Sequence, residues 1–83
     1  MVRVKLYGSA RALADREEVA LELPSVLPLQ ELLQRIAPEG RQLPPGIASA
    51  ILINGRNCAF REGLATPIAD GDLIEVLPIV TGG

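Results

Sequence analysis

The sequence predicts a small α+β domain in which one main helix packs on one face of a mixed five-stranded sheet. Three observations support this fold class. The chain has 83 residues, which is enough for one domain. One segment repeats apolar residues at helical spacing, and five segments show the alternation or the apolar run of a strand. Because the helix and the sheet each have one apolar face, we expect these faces to cover each other.

Two strands near the N-terminus are predicted to form a hairpin. Apolar and polar side chains alternate over 2–7 and again over 18–23, with the period of half-buried strands. Gly8 and Ser9 interrupt the pattern, and residues 10–15 favour a short helical turn or a loop. The short separation of the two strands predicts antiparallel pairing.

The main helix is predicted over 29–36. Its apolar side chains recur at i, i+3, i+4 and i+7, so they form one stripe along the helix. The stripe consists of Leu29, Leu32, Leu33 and Ile36. Pro28 suits the first turn, where a backbone N–H is not needed. Pro38 stops the helix.

The second half of the chain is predicted to contain three more strands. We expect a loop over 39–46, a buried strand over 47–53 and a tight turn over 54–55. A short strand over 57–61, a second loop over 62–71 and a last strand over 73–77 should follow. The Asn54-Gly55 pair is the strongest short signal for a hairpin turn. A long crossover separates the first and last strands, which favours a parallel central pair.

The order β-β-α-β-β-β is the β-grasp, or ubiquitin-like, arrangement. We expect this domain to occupy 1–78 and a flexible tail to occupy 79–83. Only Tyr7 and Phe60 are aromatic, so the predicted core is aliphatic.

The composition excludes several classes of function. The chain has no histidine, one cysteine and a net charge of -2. These counts exclude disulfide scaffolds, zinc fingers, Cys-ligated clusters and Ser/His/Asp catalysis within the chain. They also argue against a nucleic-acid or anionic-membrane partner and against a metal site. There is no signal sequence or membrane-length apolar run, and a lone cysteine suits a reducing compartment, so we expect a complete, cytoplasmic chain.

The C-terminus is the candidate site. Gly82 and Gly83 carry no side chains, so they could thread a narrow channel into another protein. The five residues after Pro78 reach roughly 17 Å when extended. The terminal carboxylate is ionised at neutral pH and could attack the α-phosphate of ATP to form an acyl adenylate. The alternative is a terminal segment without function.

Two segments resemble a known family. They are Gly63–Asp72, which reads GLATPIADGD, and Leu77–Gly83, which reads LPIVTGG. With these segments the whole chain resembles the ubiquitin-like sulfur carriers, which include the molybdopterin synthase small subunit and the thiamine-pathway carrier. Family tails commonly have a second proline where Ile79 stands here. The length and the Leu6-Tyr7-Gly8 and Arg11 positions are similar to the molybdopterin branch, whereas GLATPIADGD is similar to carriers of a cysteine-biosynthesis type.

The resemblance implies a carrier that is not catalytic alone and binds no cofactor itself. A ubiquitin-activating-type adenylyltransferase would use ATP and Mg to adenylate Gly83. Sulfur from a persulfide or sulfide donor would then give a thiocarboxylate. The tail would donate this sulfur inside an acceptor enzyme such as the molybdopterin synthase large subunit. A protein modifier that forms isopeptide bonds through Gly83, and a binding module without tail chemistry, remain alternatives.

The remaining candidates concern partner binding and two polar groups. We expect the partner-binding residues to be Tyr7, Arg11, Leu77, Pro78, Ile79, Val80 and Thr81. Tyr7 and Leu77 are predicted to be exposed apolar groups on the outward face of the central strands. For Arg11, a plain surface arginine is the alternative to a contact with an acidic partner. Cys58 is interpreted as a packing or edge residue rather than a sulfur acceptor, and Asp70-Gly71-Asp72 as a turn rather than a metal site.

Overall fold

A computed structural model describes residues 1–78 of the chain. Within this range the strands and the α-helix are β1 (Val2–Leu6), β2 (Glu18–Leu21), β3 (Leu27–Pro28), α1 (Leu29–Ile36), β4 (Ile51–Ile53), β5 (Arg56–Asn57), β6 (Pro67–Ile68) and β7 (Leu73–Val76). Short 3-10 segments occupy Gly8–Leu13, Ile47–Ala50, Cys58–Phe60 and Gly63–Ala65. The segment Gly8–Leu13 agrees with the short helical turn or loop predicted there.

The main sheet has the strand order β2-β1-β7-β4-β5. β1 and β7 lie side by side in the middle and run parallel, with Val4 opposite Ile74. The other neighbours are antiparallel. β3 and β6 form a separate pair. The mixed five-stranded sheet and its central parallel pair are therefore confirmed.

The core lies between α1 and the sheet. The predicted helix stripe is confirmed, because Leu29, Leu32 and Leu33 are fully buried. Facing them are the inward side chains of the central strands, which are Val2, Val4, Leu6, Ile51, Ile53, Ile74 and Val76. Burial of each such side chain contributes about 1.5–3 kcal/mol. The aliphatic core thus fixes which face of β1 and β7 points outward.

The predicted strand over 47–53 is wrong in its first half. Ile47–Ala50 is a 3-10 segment, and only Ile51–Ile53 is a strand. Gly46 adopts a left-handed backbone with φ of 77°, and its carbonyl accepts hydrogen bonds from the N–H and hydroxyl of Ser49. The segment therefore turns before it extends. An apolar run without alternation does not distinguish the two structures.

The predicted strand over 57–61 is also wrong beyond its first residue. The side chain of Asn57 accepts a hydrogen bond from the N–H of Ala59 and donates one to the carbonyl of Ser49. These bonds turn the chain into the 3-10 segment Cys58–Phe60, so β5 is limited to Arg56–Asn57.

Three smaller differences concern element ends. β2 ends at Leu21 rather than at 23, because Leu21 pairs with Val2, the first residue of β1. β6 lies inside the loop predicted over 62–71, where it pairs with β3. Pro28 belongs to β3 and precedes the helix instead of standing in its first turn.

Candidate functional site

The tail begins at the central strand of the sheet. The N–H of Tyr7 donates to the carbonyl of Val76 at 2.9 Å, and the N–H of Leu77 donates to the carbonyl of Ala50 at 2.8 Å. The chain is thus held between β1 and β4 up to Leu77, and Pro78 follows at the surface. The other predicted tail residues, which are Ile79, Val80, Thr81, Gly82 and Gly83, lie outside the described residues.

The outward face of β1 and β7 carries Tyr7 near the end of β7. Because Val4, Leu6, Ile74 and Val76 are buried, the alternate side chains point away from the helix, as predicted. Tyr7 is 39% exposed, in agreement with the prediction. Leu77 is half-buried rather than exposed, because it forms part of the wall of a neighbouring groove.

Tyr7 is fixed by a contact that the sequence did not reveal. Its hydroxyl donates to Glu75 Oε2 at 2.8 Å. This hydrogen bond is the main cause that raises the pKa of Tyr7 above its ordinary value, with smaller effects of burial and of the nearby carboxylates. The two residues are 68 positions apart and are brought together by the parallel pairing. The aromatic ring therefore has a defined place on the outward face.

Arg11 contacts two other residues of the connection between β1 and β2. Its Nε donates to the carbonyl of Gly8 at 3.2 Å, and its Nη1 pairs with Glu17 Oε1 at 2.7 Å. Both side chains of this ion pair are largely exposed, so the pair itself adds little stability. The structure thus gives Arg11 an internal contact, and partner binding by Arg11 stays a prediction.

A groove of about 540 Å³ lies at the end of β7. Its walls come from the 3-10 segment after β1, from the loop before β4 and from the end of β7. Lining residues include Ala10, Leu13, Arg41, Pro45, Ile47 and Leu77. Arg41 stands on its rim, where Nη1 contacts the carbonyl of Ala12 and lies 3.2 Å from Asp15 Oδ1. The sequence did not single out this groove, because its walls come from three separate segments.

Cys58 occupies the place expected for a packing residue. The side chain is fully buried, and its thiol donates to the carbonyl of Ala48 at 3.1 Å. Burial raises the pKa of this thiol, which disfavours the nucleophilic thiolate. This geometry is consistent with a packing role.

The acidic pair around Gly71 serves a turn. The Asp72 carboxylate accepts hydrogen bonds from the N–H of Ala69 at 2.9 Å and from Asn54 Nδ2 at 3.0 Å. Asp70 pairs with the α-amino group of Met1, which lowers the pKa of Asp70. Among residues 1–78, no three acidic or cysteine side chains cluster in a way that could hold a metal ion. Within the same range, no helix has the length and apolarity needed to cross a bilayer.

Comparison with known proteins decides the family. The model of the ThiS family matches residues 4–83. The chain belongs to the ThiS family. A protein of Archaeoglobus fulgidus described as a sulfur carrier protein is 39% identical over 51 residues, which are 61% of this ThiS chain and 56% of that protein. The sulfur carrier protein CysO of Mycobacterium tuberculosis is 52% identical over 33 residues, 40% of this chain and 36% of that one. The matched segments thus span about half or less of these relatives.

Solved structures share the fold of this ThiS chain along most of its length. Urm1 from Trypanosoma brucei superposes with a TM-score of 0.74 at 23% identity, covering 99% of this chain and 94% of that one. A protein of Pyrococcus furiosus described as molybdopterin converting factor subunit 1 gives 0.70 at 25% identity, covering 95% and 97%. The small archaeal modifier protein 1 of Methanosarcina acetivorans gives 0.67 at 31% identity, covering 99% and 95%. The ubiquitin-like β-grasp fold is therefore confirmed.

Proposed function

We propose that this ThiS-family chain is a sulfur carrier whose reactive group is the carboxylate of Gly83. The observation that carries the proposal is the place of β7 in the sheet. In the sequence, the segment that ends in Gly82-Gly83 follows Leu77 and Pro78, and these two residues come directly after the central strand of a β-grasp domain. Two relatives are described as sulfur carrier proteins, which supports the same role.

The chemistry requires no acid or base from the chain itself. A ubiquitin-activating-type adenylyltransferase binds Mg-ATP, and a carboxylate oxygen of Gly83 attacks the α-phosphate, with pyrophosphate as the leaving group. Sulfide then attacks the acyl carbon, the bond from carbon to the adenylate oxygen breaks, and AMP departs. With a persulfide donor, the acyl disulfide formed first is cleaved by a second thiol, which is oxidised to a disulfide. In both cases the product is the Gly83 thiocarboxylate.

Intact-mass spectrometry tests this proposal. The full chain is incubated with the organism's ubiquitin-activating-type adenylyltransferase, Mg-ATP and sodium sulfide. The expected product is heavier by the exchange of one oxygen for sulfur, and a chain that lacks Gly83 should remain unchanged. A wild-type chain that stays unmodified, while the enzyme still performs ATP–pyrophosphate exchange with it, would contradict the sulfur step.

For the acceptor, we propose the large subunit of molybdopterin synthase, with this chain as the small subunit. The similarity to the Pyrococcus furiosus converting-factor subunit supports this branch. The acceptor substrate is cyclic pyranopterin monophosphate, and the product is the dithiolene of molybdopterin. The match to CysO favours a second candidate, delivery of sulfur in cysteine biosynthesis. Supplying the thiocarboxylate form to each acceptor system and measuring molybdopterin or cysteine separates the two.

A protein-modifier role is a third candidate, and it has its own support. The similarity to the small archaeal modifier protein 1 extends over nearly the whole chain. The same Gly83 adenylate would then react with a lysine amine of another protein and release AMP. An immunoblot for the chain in cell extracts should show a ladder of conjugates if this role exists. A single band at the size of the free chain would count against it.

A further inference from the structure

Gly8 and Pro78 approach each other more closely than any side chain at position 8 would allow. Gly8 has a φ of +54°, and a Cβ built on it would lie 2.8 Å from Cγ of Pro78 and 3.8 Å from Cβ of Pro78. Real Cβ atoms essentially never approach another heavy atom within 3.0 Å. The pyrrolidine ring of Pro78 therefore packs directly against the backbone of Gly8, where no side chain intervenes.

The other left-handed glycines of residues 1–78 lack such a neighbour. They are Gly40, Gly46, Gly55, Gly63 and Gly71, and at none of them would a Cβ have a described atom within 4 Å. Gly63 matches Gly8 most closely, with a φ of +58°. A glycine is needed at these positions for backbone conformation. At Gly8 it is needed for close contact as well.

Both sides of the contact are held in place. Gly8 follows Tyr7, whose N–H is bonded to Val76, and the carbonyl of Gly8 accepts from Arg11 Nε. On the other side, the N–H of Leu77 donates to the carbonyl of Ala50. Pro78 has no N–H, so it cannot donate a backbone hydrogen bond of its own. The side chain of Pro78 is closed into a ring that also fixes φ at about −65°, so it cannot rotate away from Gly8 as an open side chain could.

We propose that Gly8 is a positioning residue for the reactive tail, because its contact holds Pro78, the last described residue before the tail, in place. This inference rests on the proposed function, since the point from which the tail starts matters when Gly83 must enter a partner's active site. A methyl group at position 8 must push Pro78 away by about 0.6 Å to restore ordinary van der Waals contact at 3.4 Å. Small displacements of reacting groups are known to lower rates by up to about a hundredfold.

The test compares four variants with the wild-type chain. Gly8→Ala introduces both the left-handed strain and the contact with Pro78. Gly63→Ala introduces similar strain without the contact and is the matched control. Pro78→Ala alone, and Gly8→Ala combined with Pro78→Ala, remove Cγ and leave only the atom at 3.8 Å, which is ordinary contact. Thermal unfolding of each variant shows whether it folds.

The kinetic readout is thiocarboxylate formation with the organism's ubiquitin-activating-type adenylyltransferase, Mg-ATP and sulfide. For Gly8→Ala we expect kcat to fall about tenfold while KM for the carrier stays within about twofold, because the face around Tyr7 is unchanged. Gly63→Ala should retain the wild-type kcat, and the double variant should have the kcat of Pro78→Ala alone, because the contact with Cγ is absent from both. Equal effects of Gly8→Ala and Gly63→Ala would overturn the proposal. So would a loss from Gly8→Ala that is as large in the Pro78→Ala background as in the wild-type chain.

A second readout does not depend on the enzyme. In the wild-type chain, NMR should show nuclear Overhauser contacts between the α-protons of Gly8 and the ring protons of Pro78. Residual dipolar couplings of the N–H groups of residues 79 and 80 should change in Gly8→Ala and stay unchanged in Gly63→Ala. Missing contacts or unchanged couplings refute the inference even if sulfur transfer occurs. A wild-type chain that accepts no sulfur refutes the proposed function, while these NMR results still decide the role of Gly8.

Discussion

Replacing Thr66 by valine should destabilise the domain by removing a buried hydroxyl without changing its shape. Among residues 1–78, Thr66 is the one polar residue in the buried class, with an exposure of 0%. Its hydroxyl donates to the carbonyl of Gly63 at 2.7 Å and accepts from the N–H of Glu62 at 3.1 Å. Its own carbonyl accepts the N–H of Leu29, the first residue of α1. The side chain therefore supports the turn on which the helix start depends.

The expected loss follows from these two hydrogen bonds. Each typical intramolecular hydrogen bond contributes about 1 kcal/mol, so Thr66→Val should lower the free energy of unfolding by about 2 kcal/mol. Thr66→Ser keeps the hydroxyl and loses one methyl group, which costs about 1 kcal/mol. The serine variant is the matched control, because it separates the hydroxyl from the packing.

Urea denaturation followed by far-UV circular dichroism measures the difference. With a slope of about 1 kcal/mol per molar urea, the midpoint should fall by about 2 M for Thr66→Val and by about 1 M for Thr66→Ser. The melting temperature of the valine variant should fall by about 8–16 °C. A valine variant as stable as the serine variant, or more stable, would show that the hydroxyl does not stabilise this turn.

Three further outcomes concern single groups. Tyr7 is the only tyrosine and there is no tryptophan, so absorbance at 295 nm follows the phenol of Tyr7 alone. Its pKa should lie above 10 and should return towards 10 in Glu75→Gln. The stabilisation by the Tyr7–Glu75 hydrogen bond is present at neutral pH and is lost as the pH rises through the folded pKa. NMR should show Asp70 with a pKa below about 3.9, and acetylation of the Met1 amine should raise this pKa back to its ordinary value. The stabilisation by the Met1–Asp70 ion pair is lost as the pH falls through the folded pKa. An Asp70 pKa that acetylation leaves unchanged would refute the ion pair. Cys58 should react with Ellman's reagent at least about a hundredfold more slowly in buffer than in urea, and equal rates would contradict its burial.

Elements with a clear period could be predicted from the sequence. The stripe of α1 and the alternation of β1 were sufficient to place both and to orient their buried faces. The run 47–53 was not, since a nearly continuous apolar run, interrupted only by Ser49, fits a strand and a buried 3-10 turn equally well. The 3-10 turn there depends on the left-handed backbone of Gly46 and on the hydrogen bond from the Ser49 hydroxyl to the Gly46 carbonyl. The pattern of apolar residues reports neither of these.

The central place of the strand that precedes the tail was predictable, and the contacts around the end of that strand were not. Gly82 and Gly83 are recognisable in the sequence, and the pairing of the first and last strands follows from topology. The contacts of Tyr7 with Glu75 and of Gly8 with Pro78 join residues about 70 positions apart, and they depend on the exact register of two strands. A one-residue shift would separate both pairs, so no local pattern reports them.

The place of β7 in the sheet links synthesis of the chain to its function. β7 is made last, yet it lies between β1 and β4, and without it the β1–β2 and β4–β5 hairpins share no ladder. Isolated hairpins are only marginally stable in water. A nascent chain released before residue 73 therefore cannot complete its sheet and is exposed to proteases. The strand that precedes the reactive end in the sequence is thus also the strand that joins the two hairpins into one sheet.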